Sequence, residues 1–161
     1  MRYLVTGSQM RAIDQDTIQN IGIPSLVLME RAAECVARKA EQLCDQKTLQ
    51  ILAICGVGNN GADGVAAARM LYLHGFDVLV VVVGNEAHAT KEFEVQKGIA
   101  EKLEIPVVDW EHFLHGEDEQ KAGDCAIIDA VFGVGLSRDV EGTYAEVLDW
   151  INEAETEWVL A

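Results

Sequence analysis

An α/β fold built on a mostly parallel sheet is what this 161-residue chain predicts, and three observations predict it. From Gln50 onward, short apolar runs alternate with longer amphipathic stretches. One run, Val80-Val-Val-Val83, shows no in-and-out alternation, as a strand covered on both faces requires. Glycine clusters follow two of the runs, where strand-to-helix turns belong. Strand, helix, strand, helix in sequence means right-handed crossovers and a doubly wound layer sandwich.

The elements follow in order. Ser8 before Gln9-Met-Arg-Ala-Ile-Asp reads as the N-cap of a first helix, with Met10, Ile13, Ile18 and Ile21 on one face. The break Gly22-Ile-Pro24 precedes a longer helix from Ser25, whose seam is Leu26, Met29, Ala33, Val36, Ala40 and Leu43. The two make an N-terminal helical hairpin. Strands are expected at Gln50–Cys55, Val78–Val83, Val107–Trp110 and Cys125–Ala130. Helices are expected near Gly64–His74, Ala89–Leu103 and Thr143–Glu153, with a polar surface excursion over Glu111–Gly123. Trp158-Val-Leu-Ala161 reads as a fifth strand in which the sequence stops, so residues 1–161 are expected to be one domain truncated near its end.

Composition narrows the function. With 27 acidic and 12 basic side chains the formal charge is −15. That field repels nucleic acid and anionic lipid, so neither is an expected partner. Four dispersed cysteines with no C-x-x-C pair, and no secretory signal, point to reduced thiols in a cytoplasmic protein. No run reaches the ~18 apolar residues of a membrane span. His74, His88, His112 and His115 share no ligand spacing with cysteine and read as surface residues.

The chemistry concentrates in two glycine loops. Cys55-Gly-Val-Gly-Asn-Asn-Gly-Ala-Asp-Gly64 lies between a strand and a helix. Glycines there let a ligand approach main-chain N–H groups, and the helix presents its positive end, so a pyrophosphate needs no lysine. A tight connection plus a helix cap would use the same residues. No Gly-Lys-Ser/Thr follows, which excludes a Walker loop. The G-x-G-x-x-G spacing fits a dehydrogenase poorly, because Asp77 precedes the second strand instead of ending it. The second loop lies within Ile127-Ile-Asp-Ala-Val-Phe-Gly-Val-Gly-Leu-Ser-Arg-Asp139, which begins as a buried strand with Asp129 at its end. There its carboxylate either caps a turn or joins the first loop's oxygens around a hard cation.

Three segments carry a resemblance: Ile23–Ala33 (IPSLVLMERAA), Gly56–Gly64 (GVGNNGADG) and Asp129–Gly142 (DAVFGVGLSRDVEG). The chain resembles the YjeF N-terminal domain family, the NAD(P)HX epimerases, along essentially its whole length. The family's usual forms are GPGNNGGDG and DALFGTGLSRPLEG; this chain has Val57, Ala62, Val134 and Asp139 at the four departures. Ala62 is compatible if its φ is negative, and Val134 loses a hydroxyl.

The resemblance implies a three-layer α/β/α, Rossmann-like fold and a homodimer. It implies interconversion of the R and S epimers of hydrated NADH or NADPH, with a dehydratase as functional partner, on the same polypeptide in many bacteria. It implies a potassium ion held by Asn60 and Asp129, with a serine from a segment that would follow Ala161. It implies substrate contacts at Asn59, Asn60, Gly61, Ala62 and Asp63, and at Gly133, Val134, Gly135, Leu136, Ser137, Arg138 and Asp139. The acid/base aspartate is expected beyond Ala161, so no catalytic residue is assigned here and the fragment alone is expected to be inactive. The rival expectation is a non-catalytic nucleotide-binding or scaffold module of the same fold.

Overall fold

The computed structural model describes residues 4–44, 50–116, 125–137, 139–156 and 158–161. Five strands, β1 (Gln50–Gly56), β2 (Asp77–Val83), β3 (Val107–Asp109), β4 (Cys125–Ala130) and β5 (Val159–Leu160), form one sheet in the order β3-β2-β1-β4-β5. Every pairing is parallel; Ile54 sits beside Val81 on one side and Asp129 on the other. The chain builds outward from β1 to β3, then returns to lay β4 on the opposite flank of β1. That reversal between β1 and β4 is the switch point, where ligands of open α/β sheets bind at the strands' carboxyl ends.

Helices cover both faces. On one side α2 (Ser25–Leu43), α3 (Asn59–Leu73) and α4 (Lys91–Lys102) bury Ala33, Ala66 and Phe93 over Ile51, Val80 and Ile128. On the other, α5 (Trp110–His115) and α6 (Thr143–Glu153) bury Trp110, Phe113, Val147 and Ile151 over Ile54, Val81 and Ile127. Alternate residues of one strand thus reach different cores, which is why Val80–Val83 is apolar without a break. Alanines at 66, 67 and 68, all fully buried, let α3 lie close on the sheet. Glu30 of α2 accepts from Arg69 of α3 at 2.5 Å and from Gln96 of α4 at 3.0 Å, a polar clasp joining three helices.

The strand and α6 expectations agree closely with these bounds, and four local readings change. The N-cap of α1 (Gly7–Asp16) is Thr6, not Ser8: Thr6 Oγ1 accepts from Gln9 N–H while Gln9 Oε1 accepts from Thr6 N–H. α3 begins at Asn59, five residues before the expected Gly64. Trp110 opens α5 instead of ending β3, and Glu111–His115 is helical with Phe113 buried, not a wholly polar excursion; residues 117–124 lie outside the described ones. Both N-terminal helices form; α1 runs into a π-helical turn at Thr17–Ile21, which Gly22 ends at φ +87°. No residue of α1 is buried, however, and Met10 and Ile13, with Ile18 and Ile21 of the turn after it, are exposed, so the expected common face joins neither core among the described residues. What α1 touches is the second glycine loop, through Gly7 and Arg11.

The histidines are all exposed, with His74 against Glu41 at 2.5 Å. None of the four cysteines forms a disulfide. No helix among the described residues is long and apolar enough to cross a membrane.

Candidate functional site at the switch point

The first loop is shaped by contacts that exclude side chains. A Cβ on Gly56 would overlap the Val131 carbonyl oxygen, and one on Gly61 the Gly56 carbonyl oxygen. At Gly64 it would meet Ala130 Cβ and lie 2.9 Å from Cys55 Sγ. These glycines bring the first turn of α3 hard against the ends of β1 and β4. Ala62 is fully buried with no positive φ, so its extra methyl is accommodated. Gly58 is the N-cap and makes no side-chain capping bond. The first-turn N–H groups of α3 therefore keep their hydrogen-bonding capacity and the helix its positive end.

The second loop is tied to the first by a side chain. Asn60 Nδ2 donates to the Phe132 carbonyl at 3.0 Å, and Gly133 leaves room for it: a Cβ there would sit 3.2 Å from Asn60 Cβ. Asp129 Oδ1 accepts from Val131 N–H at 3.1 Å, which turns the chain out of β4. Phe132 packs on Tyr144 of α6, ring centroids 5.1 Å apart, and the Tyr144 hydroxyl fits against Gly84 at φ +109°.

Between the loops lies a cavity of about 660 Å³, within the usual ligand range of roughly 300–1,000 Å³. Asn59, Asn60 and Asp63 line it from one side, and Gly133, Val134, Gly135, Leu136 and Ser137 from the other. Gly61 and Ala62 are buried beneath it, serving as packing, and do not line it. Asp139 lines a smaller adjoining hollow of about 250 Å³ with Phe132 and Tyr144. Arg138 falls outside the described residues. Asp129 is half-buried behind the cavity wall, not in its lining, though at the same end of the sheet as Asn60.

Three lining residues were not singled out from sequence: Arg11 and Asp14 of α1, and Tyr144. The first two stand one helical turn apart, a spacing that places both on one face, but nothing local says which distant loop that face will meet. Burial, then the nearby Asp14 charge, raises the Asp63 carboxyl to about 6. Burial, then the Asp129 charge, pushes the Cys55 thiol up, so it is an inert core group.

Among the described residues no three His, Cys, Asp or Glu side chains cluster as a metal site. The oxygens at the strand ends are of another kind. With its nitrogen committed to Phe132, Asn60 has Oδ1 to offer, and Asp129 has a second carboxylate oxygen. Amide, carboxylate and main-chain oxygens fit a hard cation and not zinc.

A parallel sheet whose switch point holds two glycine loops and an uncapped helix N-terminus defines a Rossmann-like α/β domain with a cavity at the strands' carboxyl ends. Comparison with known proteins narrows this. Residues 25–161 match the family described as YjeF-related protein N-terminus. The chain is 45% identical over 150 residues to a Limosilactobacillus fermentum protein named NAD(P)H-hydrate epimerase, covering 93% of this chain and 68% of that one. It is 39% identical to the Oenococcus oeni protein of the same name, with the same coverage. The crystal structure of yeast ynu0 superimposes with a TM-score of 0.84 at 22% identity, over 96% of this chain and 66% of that one. The chain belongs to the YjeF-related N-terminal family, and it spans about two thirds of the length of these relatives.

Proposed function

We propose that this chain carries the epimerase site that interconverts the R and S forms of hydrated NADH and NADPH in nicotinamide-cofactor repair. The observation that carries the reading is the joined pair of loops: Asn60 bonded to Phe132, both lining a 660 Å³ cavity at the switch point. A cavity of that size takes much of a dinucleotide, and the α3 N-terminus offers N–H groups to its pyrophosphate. The names of the relatives supply the reaction class.

The hydrated ring carbon bears a hydroxyl and the ring nitrogen, as in a hemiaminal. Protonation of the hydroxyl lets it leave as water, the ring nitrogen stabilises the cation, and water adds to the other face with loss of a proton. What the residues of this chain do is bind and orient: Asn59 and Asn60 from one wall, Gly133–Ser137 from the other. Potassium fits the donor set, with Asn60 and Asp129 as the residues that would hold it. When bound it would supply positive charge beside the phosphates. A homodimer and a dehydratase acting on one epimer complete the proposal.

The test is to incubate the intact gene product with purified S-NADHX or R-NADHX and follow the epimer ratio by chromatography. The epimerase reading expects both to reach one common ratio at a rate proportional to protein concentration. A rate equal to that of buffer would leave a non-catalytic binding module. A change in nicotinamide absorbance, by contrast, would indicate hydride transfer.

A further inference from the structure

We infer that Arg11, on the otherwise unburied helix α1, is a substrate-binding residue that holds the phosphates of the dinucleotide against the second glycine loop. The inference deepens the epimerase reading and rests on it. Three observations converge. First, Arg11 lines the cavity and is the one cationic side chain that does so among the described residues. The other charged lining groups there are Asp14 and Asp63, and the chain as a whole carries −15. A ligand with at least two phosphate charges meets an adverse field, which among the described residues Arg11 and the α3 N-terminus offset.

Second, Arg11 is already placed. One terminal nitrogen, Nη2, donates to the Val134 carbonyl at 2.7 Å, across 123 residues of chain, and stands 3.7 Å from where a Gly135 Cβ would be. A guanidinium has five N–H donors in a rigid fork, so anchoring one nitrogen orients the rest while leaving donors for an anion. Third, nothing in the core among the described residues holds α1 here. It buries no residue, and its apolar side chains Met10 and Ile13 face solvent. The contacts of α1 with the rest of the described chain run to the cavity wall, through Gly7 and Arg11 to Val134, which is where a cavity-binding residue would be held.

The residue thereby separates two parts of the substrate. The nicotinamide end is indifferent to Arg11, whereas the pyrophosphate feels its charge. Arg11→Gln removes the charge and, being two atoms shorter than Nη2 requires, also the bond to the Val134 carbonyl; Arg11→Lys keeps the charge and loses the fork. For the intact protein turning over S-NADHX, R11Q is expected to raise KM about tenfold at low ionic strength, as loss of a charge-assisted contact does. The dependence of KM on salt should flatten along with it. R11K should recover part of the loss in KM and the salt dependence with it.

Binding of ADP-ribose, which has the pyrophosphate and no nicotinamide, supplies the second arm, with R11Q about tenfold weaker than wild type. Wild-type KM and salt dependence in R11Q would overturn the inference. So would a loss confined to kcat with salt dependence intact, which would make Arg11 only a fastener of α1. If the wild type binds ADP-ribose but does not interconvert the epimers, the epimerase reading fails while the ADP-ribose comparison still decides Arg11. If it binds no ADP-ribose, the inference falls.

Discussion

The two glycine loops look alike in sequence and do different work. In the first, Gly56, Gly61 and Gly64 are each pressed against backbone or core atoms that leave no room for a Cβ. In the second, Gly133 and Gly135 have neighbours no nearer than 3.2 and 3.7 Å, and Val134 and Leu136 stand 69% and 47% exposed. The first loop is a frame: its glycines lock the N-terminus of α3 onto the sheet, which fixes where the helix's positive end points. The second is the more open wall, held by Asn60 through the Phe132 carbonyl and by Arg11 through the Val134 carbonyl. Glycine content alone therefore does not separate a packing requirement from a ligand-facing surface; the neighbours of the missing Cβ do.

Substitutions in the two loops should pull that contrast apart. Gly61→Ala forces a methyl onto the Gly56 carbonyl oxygen and is expected to cost about 3 kcal/mol or more, read as a lowered denaturation midpoint. Near-wild-type stability would mean the frame yields. Asn60→Ala cuts the tie to Phe132: a stability loss of about 1 kcal/mol, with epimerisation down roughly 10- to 100-fold because the walls no longer hold one geometry. Equal activity would deny Asn60 its role.

Asp63 probes the wall by pH. Its folded carboxyl is raised to about 6 from 3.8, so it adds stability that is complete below the lower value and disappears as pH climbs through the upper one. Wild type should lose stability relative to Asp63→Asn between those values, seen in paired denaturation curves. A constant difference would contradict a perturbed carboxyl. Smallest is Gly135→Ala, whose new methyl meets Arg11 at an ordinary 3.7 Å and should shift stability by no more than about 0.5 kcal/mol. A loss as large as at Gly61 would erase the distinction between the loops.

How much of this was legible in the sequence differs along the same line. Strands read well because burial on both faces leaves an unbroken apolar signature, and even the two-residue β5 was visible around Val159. The sequence pattern places the start of α3 too late because glycine disfavours helix locally; close packing on β1 and β4 overrides that preference at Gly61 and Gly64. Thr6 as N-cap was available, since Thr-x-x-Gln is a capping box and Ser8 has no such partner three residues on. Asn59, Asn60, Asp63 and the second loop were found because a glycine cluster after a strand points to the switch point. Arg11, Asp14 and Tyr144 were not, since each reaches the cavity only through tertiary placement.

Hydrogen exchange of the intact protein with and without hydrated NADPH tests most directly whether the two loops hold one ligand between them. Amides of residues 57–63 and 133–137 should gain protection together, with one half-saturating concentration. Protection in one segment, with the other unchanged at saturation, would contradict the shared cradle.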